Sequence, residues 1–168
     1  MAIAPRHAVA VAALALKGDE AVLEIGCGHG VAVRLALDRL DTGSITALDR
    51  SQKMIDMVAA ASPEALASGR LRLRAEAIEE ADFGGETFDA IFAVNVDFNL
   101  RLGTRWPNML KALLKPGGRV VLAFDPPPDS GKGHAFAGKS LDRLAAAGFT
   151  AALLPAHGRV TVIRAKQG

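Results

Sequence analysis

Short apolar or β-branched runs alternate along the chain with segments whose apolar residues recur at helical spacing. The runs are Ala21–Ile25, residues 44–48, Leu71–Ala75, Phe88–Val94 and residues 119–124. Between them, residues 31–40 carry apolar side chains at 31, 33, 35, 37 and 40, and residues 51–61 place Met54, Ile55 and Val58 on one face. Residues 104–114 open on Trp106-Pro107 and continue with Met109, Leu110, Leu113 and Leu114, whereas the spacer 76–85 is short and acidic. A repeated strand–helix alternation predicts a parallel sheet covered by helices on both faces. The nearly continuous apolar character of the runs fits strands buried on both sides.

The two ends of the chain depart from this rhythm. Residues 141–147 read as a helix stopped by Gly148, followed by two apolar runs at 149–154 and 160–164. Only Pro155-Ala156-His157-Gly158 and Arg159 separate those runs. A parallel crossover needs a dozen or more residues, so this pair is antiparallel and the last of seven predicted strands is reversed. At the other end, the apolar run 8–16 follows Arg6 and His7. Pro5 suits the first turn of a helix and Gly18 its carboxyl-terminal cap. Its one small-x-small site lies inside the run, and the chain continues straight into the next strand, so residues 1–18 read as a core-packing helix, not an export signal. The expected compartment is the cytoplasm.

Composition narrows the picture. The 168 residues, half of them hydrophobic and 23% charged, suit one folded domain with an ordinary core. A lone cysteine excludes an internal disulfide framework, and no apolar run approaches the roughly 20 residues that span a bilayer. A formal charge of +2, with seven Phe, one Trp and no Tyr, speaks against a nucleic-acid partner. Every linker is short except residues 125–139, which hold Gly131, Gly133 and Gly138 beside Lys132, His134 and Lys139. That segment reads as a mobile, mildly basic lid within a single domain spanning 1–168.

Chemistry enters where the first strand ends. Val22-Leu23-Glu24-Ile25-Gly26-Cys27-Gly28-His29-Gly30 sets three glycines at alternate positions at a strand-to-helix turn. Residues without a Cβ allow unusual backbone angles and close approach of a ligand, and the helix that follows points free N–H groups at it. Asp49, at the end of the second strand, is placed to accept hydrogen bonds from both ribose hydroxyls of an adenosine. Three alternating glycines exceed what helix–sheet packing requires.

These residues resemble the class I S-adenosylmethionine-dependent methyltransferases. The loop reads Glu-x-Gly-x-Gly-x-Gly, not the dinucleotide spacing, and the likeness continues through Ala47-Leu48-Asp49-Arg50-Ser51 with Met54, Phe88-Asp89-Ala90-Ile91-Phe92, and Leu114-Lys115-Pro116-Gly117-Gly118. The resemblance implies a Rossmann-like, doubly wound α/β fold of three αβα layers with strand order 3-2-1-4-5-7-6. It implies that Glu24 and the backbone of Gly26, Cys27 and Gly28 hold the methionine part of S-adenosyl-L-methionine, and that Asp49 takes the ribose. By the same resemblance Arg50 and Met54 flank the adenine, Glu76 and Ala77 meet its edge, and Asn95 lies near the sulfonium. S-adenosyl-L-homocysteine is the implied product.

Cys27 and His29 alone cannot supply the three or four ligands that zinc needs, and Phe124-Asp125-Pro126-Pro127-Pro128 reads as a stiff loop. Because a sulfonium is already an activated methyl donor, the protein's main task is in-line positioning. Asn95 and Asp97 follow the fourth strand at the expected transfer point, and Asp97 is the candidate acceptor-orienting or base residue. The leading expectation is methyl transfer to a small molecule. An RNA or protein methyltransferase and a non-catalytic cofactor-binding module are the alternatives, ahead of a nicotinamide-dependent oxidoreductase. With so little structure added to the core, the site should be open, suiting a bulky acceptor or a small one enclosed by a second subunit of a homodimer.

Overall fold

The computed structural model describes residues 4–167. Seven strands form one sheet in the order β3-β2-β1-β4-β5-β7-β6. They are β1 Ala21–Ile25, β2 Ser44–Asp49, β3 Leu71–Ala75, β4 Phe88–Val94, β5 Leu114–Phe124, β6 Phe149–Leu153 and β7 Thr161–Gln167. β7 runs antiparallel to both β5 and β6, and the remaining pairs are parallel. The Rossmann-like topology and the reversed last strand are therefore as the sequence predicts. The helices are α1 Pro5–Leu14, α2 Val31–Leu37, α3 Gln52–Ala61, α4 Pro63–Ala67, α5 Phe98–Arg101, α6 Trp106–Leu113 and α7 Lys132–Ala146.

Side chains on a strand alternate between faces, so a sheet covered on both sides needs two cores. Val22 packs in one with Leu14, Val33, Ile45 and Phe92, while its neighbour Leu23 packs in the other with Ile91, Trp106, Leu110 and Leu144. Motif residues also hold the sheet together. Asp89 Oδ2 accepts from the Ala21 N–H at the start of β1 and from Lys115 Nζ, each at 2.8 Å. β5 begins five residues earlier than the apolar run suggests. Leu114 pairs with Phe88 and Arg119 with Ala90, leaving Lys115 to Gly118 to bulge. A Cβ on Gly118 would stand 2.8 Å from the Lys115 carbonyl oxygen, which is why that turn takes glycine.

Three expectations need correction. α1 is closed not by Gly18 but by Ala15, in the left-handed region at φ 49°; the Gly18 carbonyl instead accepts N–H bonds from Asp41, Thr42 and Gly43. α2 stops at Leu37 and reaches Leu40 through a turn. Most consequential, the proposed lid is a loop only as far as Gly131, because α7 starts at Lys132. Phe136 and Ala137 are buried, and the Phe136 ring stacks on Phe124 at 4.5 Å between centroids. Ser140, fully buried, accepts a hydrogen bond from Asn99 Nδ2 at 2.7 Å. Gly133 and Gly138 each cost about 1 kcal/mol of helix propensity relative to Ala, so locally the segment reads as loop. Burial of an apolar face supplies most helical stability in proteins, and here it prevails.

Truncating Phe136 to Ala should therefore cost about 3–5 kcal/mol in a denaturant titration, as for other buried aromatics. A mobile lid would lose less than about 0.5 kcal/mol, the range of surface substitutions.

Candidate functional site at the carboxyl ends of the central strands

β1 lies between β2 and β4, so the chain reverses direction across the sheet at its carboxyl end. Open α/β sheets bind ligands in the crevice at such a switch point. The glycine turn sits here and is held by the end of β2. The Leu48 carbonyl accepts N–H bonds from Gly26 and Cys27 at 2.8 and 2.9 Å. Asp49 Oδ2 accepts the Gly28 N–H and Oδ1 the Ser51 N–H, both at 2.9 Å. Ser51 then caps α3 by accepting the Met54 N–H.

Gly26, Gly28 and Gly30 all have positive φ, at 75°, 51° and 72°. Their surroundings divide the work among them. A Cβ on Gly30 would meet Val58 Cγ2 of α3 at 2.7 Å, so that glycine serves helix packing. Among the described residues nothing lies within 4 Å of where a Cβ on Gly28 would stand, so its left-handed turn faces open space.

A cavity of about 220 Å³ adjoins this turn, and Gly26, Asp49, Arg50, Glu76, Ala77 and Asn95 line it. Six of the expected site residues thus meet on one surface. Among the described residues Asp49 uses two of the roughly four lone-pair directions of its carboxylate, on the Gly28 and Ser51 N–H groups. Glu76 is held by an ion pair to Arg74, whose guanidinium lies 4.6 Å from the Phe83 ring centroid. Asn95 adopts φ 58°, a conformation Asn tolerates better than most residues. Its N–H donates to the Ala123 carbonyl and its Oδ1 accepts the Asp125 N–H at 2.7 Å, joining the ends of β4 and β5.

Glu24 is 2% exposed, and among the described residues its Oε2 has no hydrogen-bond partner. Burial, with the Asp49 charge adding, raises its carboxyl well above the ordinary range. Burial of this kind disfavours the ionised form of the carboxyl. Cys27 is buried as well. Burial above all, with Glu24 and Asp49 adding, pushes its thiol up to about 12, so it is not a reactive thiolate.

Two other expected residues, Met54 and Asp97, are not among those lining the cavity. Met54 lies in the first turn of α3, with its backbone N–H on the Ser51 cap. Asp97 caps α5, its Oδ1 accepting the Leu100 N–H at 3.2 Å. His29 borders a separate open groove of about 1320 Å³ along α2, which Arg6, His7 and Arg70 also line. Conversely, Ile78, Val96 and Arg101 reach the cavity without having been expected there. Arg101 belongs to a four-residue helix with no periodic signature, and pairs with Glu79 at 3.3 Å.

Residues 22–118, from β1 into β5, match the family model described as a methyltransferase domain. The chain belongs to that family. Over 105 residues this methyltransferase domain is 30% identical to the ubiquinone/menaquinone biosynthesis C-methyltransferase UbiE of Geotalea daltonii, covering 60% of the chain and 43% of that protein. The domain thus spans under half the length of that relative. Among solved structures it resembles a SAM-dependent methyltransferase from Aquifex aeolicus, with TM-score 0.80, 16% identity, and coverage of 98% of this chain and 90% of the other. It also resembles precorrin-6y C5,15-methyltransferase from Geobacter metallireducens, with TM-score 0.75, 19% identity, and coverage of 96% and 87%. At such identities the likeness is one of fold.

Glu24 makes the pH dependence of the ligand-free methyltransferase domain predictable. Its folded-state pKa lies above the unfolded value, so between the two the folded protein keeps a proton that the unfolded chain has released. Stability therefore falls as pH rises from about 4.5 through the folded pKa. Glu24→Gln should remove that falling limb and be more stable than the parent at neutral pH in thermal unfolding. Equal stability of the two proteins across the range would contradict the assignment.

Proposed function

We propose that this domain binds S-adenosyl-L-methionine and transfers its methyl group to a nucleophilic atom of a small-molecule acceptor. The observation that carries the reading is the orphan Glu24 carboxyl behind a glycine turn whose neighbours Asp49, Glu76 and Asn95 meet on one cavity. When bound, the cofactor supplies a methyl group on a cationic sulfur, which leaves as the neutral thioether of S-adenosyl-L-homocysteine. The donor set fits such a ligand. Glu24 would ionise beside its positive charges, because an opposite charge favours the ionised form of a carboxyl.

The remaining roles follow the strand order. Asp49 accepts the ribose hydroxyls with its two unused lone-pair directions, while Arg50, Glu76 and Ala77 at the ends of β2 and β3 meet the adenine. The methionine part lies against Gly26, Cys27 and Gly28, and Asn95 at the end of β4 stands near the transferred group. Because the donor is already activated, positioning of the acceptor takes precedence over proton abstraction, and effective concentration alone can lower such a barrier by about 7–11 kcal/mol. Among the described residues no helix is long and apolar enough to cross a membrane. We place the reaction in the cytoplasm, on a small-molecule acceptor.

Calorimetry should show binding of S-adenosyl-L-methionine and S-adenosyl-L-homocysteine but not of NAD. Asp49→Ala should weaken both by at least about tenfold, since hydrogen bonds to a charged group are each worth roughly 1.5–3 kcal/mol. Binding of NAD in preference would overturn the reading. Binding without transfer of labelled methyl groups to any component of a cell extract would instead favour a non-catalytic module.

Asp97→Ala separates capping from chemistry. It should cost about 1 kcal/mol of stability, as for a lost cap, and leave labelled methyl transfer at saturating cofactor unchanged. A collapse of transfer with stability intact would restore Asp97 as an acceptor-facing residue.

A further inference from the structure

At the carboxyl end of β5, next to the cavity, two arginines share one buried carboxylate. Asp125 has a side chain only 7% exposed, with Oδ1 accepting from Arg159 Nε at 3.0 Å and Oδ2 from Arg6 Nη1 at 3.4 Å. Arg6 comes from the first turn of α1 and Arg159 from the turn before β7, so three distant segments converge here. Two guanidinium groups against one carboxylate leave one positive charge in excess. Each arginine carries five N–H donors, yet among the described residues each makes only this single side-chain hydrogen bond. Burial and the adjacent Arg6 charge lower the His7 imidazole below its usual range, so the excess charge belongs to the arginines.

The position of this cluster gives it a role. Asp49 and Glu76 line the cavity at β2 and β3, the adenosine end in the proposed methyl-transfer reading, and Asn95 marks the opposite end at β4. Asp125 lies one strand further out and donates its N–H to Asn95 Oδ1. Neighbouring strands are about 5 Å apart, so the cluster stands just beyond the expected transfer point, on the side away from adenosine. The Arg6 side chain is 32% exposed and borders the separate groove along α2, so its guanidinium is accessible from solvent. Planar guanidinium groups grip carboxylate and phosphate through paired, charge-assisted hydrogen bonds.

We propose that Arg6 and Arg159 form an acceptor subsite for an anionic oxyacid group, carboxylate or phosphate, with Asp125 as the positioning residue that holds both guanidiniums. The inference rests on the methyl-transfer reading for the identity of the ligand as acceptor, though not for the binding of the anion. The acceptor is then a small acid whose nucleophilic atom reaches back past Asn95.

The test is calorimetric titration of the full chain, with and without S-adenosyl-L-homocysteine, using benzoate and phenyl phosphate against the neutral benzamide and phenol. At least one anion should bind saturably while its neutral counterpart does not, and the stronger of the two identifies the oxyacid class. Arg159→Gln and Arg6→Gln should each weaken that anion by about tenfold. Arg159→Lys, which keeps the charge but not the fork, should fall between. Arg39→Gln, exposed after α2, should match the parent. Arg159 is 58% exposed, and thermal unfolding of its variants checks that the fold is kept. Absence of anion binding, equal binding of neutral analogues, or parent-like Arg6 and Arg159 variants would overturn the subsite. Anion binding that depends on these arginines in a protein that fails to bind S-adenosyl-L-homocysteine would keep the subsite and sink the methyl-transfer reading.

Discussion

The Leu48 carbonyl and the Asp49 carboxylate together hold three successive backbone N–H groups of the glycine turn, those of Gly26, Cys27 and Gly28. A turn in which three glycines adopt positive φ gains nothing locally that would keep it in one shape, because glycine loses more conformational freedom on folding than any other residue. The end of β2 supplies the constraint from outside. It does so with strand pairing already in place, since Ala21 to Ile25 run in register beside Ser44 to Leu48. Everything downstream depends on this clamp: the start of α2, the cap on α3 through Ser51, and the open face above Gly28.

Two buried glutamates near β1 show how differently one side chain can be used. Glu20, just before the strand, is 6% exposed and accepts N–H bonds from Lys17 and Gly18 at 2.9 Å and from Arg119 at 2.8 Å. Burial pushes its carboxyl upward, but those donors outweigh burial and hold it below the usual range. Its contribution to stability is present above about pH 4.5 and is lost as pH falls through the lowered folded value. Glu24, four residues on, is as deeply buried and among the described residues lacks a partner on Oε2. The first ties the end of α1, β1 and β5 together through its donors; the second sits behind the glycine turn with its charge disfavoured by burial.

The strand pattern was legible because both faces of the sheet are covered, so apolar runs mark strands directly. Ala21–Ile25, Leu71–Ala75 and Phe88–Val94 come out with their sequence-read boundaries. The reversed β7 was legible for a different reason: the linker after β6 is too short for any parallel return. Helical ends fared worse. Ala15 took the left-handed position that Gly18 seemed made for, and α7 formed across two glycines because Phe124 offered Phe136 a stacking partner from β5. α5, which Asp97 caps, is a four-residue helix too short to announce itself in the sequence.

What the amino-acid order determined by itself is the local chemistry: glycines that permit a left-handed turn, an acid at the end of β2, periodicities that separate strand from helix, and a hairpin too short to cross over. These depend on backbone angles and spacings within a few residues. The tertiary structure alone decided which side chains meet. Arg6, Asp125 and Arg159 converge across separations of 119 and 34 residues, Arg101 arrives at the cavity from beyond β4, and Glu24 Oε2 is left without a partner among the described residues. Such meetings depend on how the sheet orders its strands and which ends lie side by side, and no local preference in the chain encodes that.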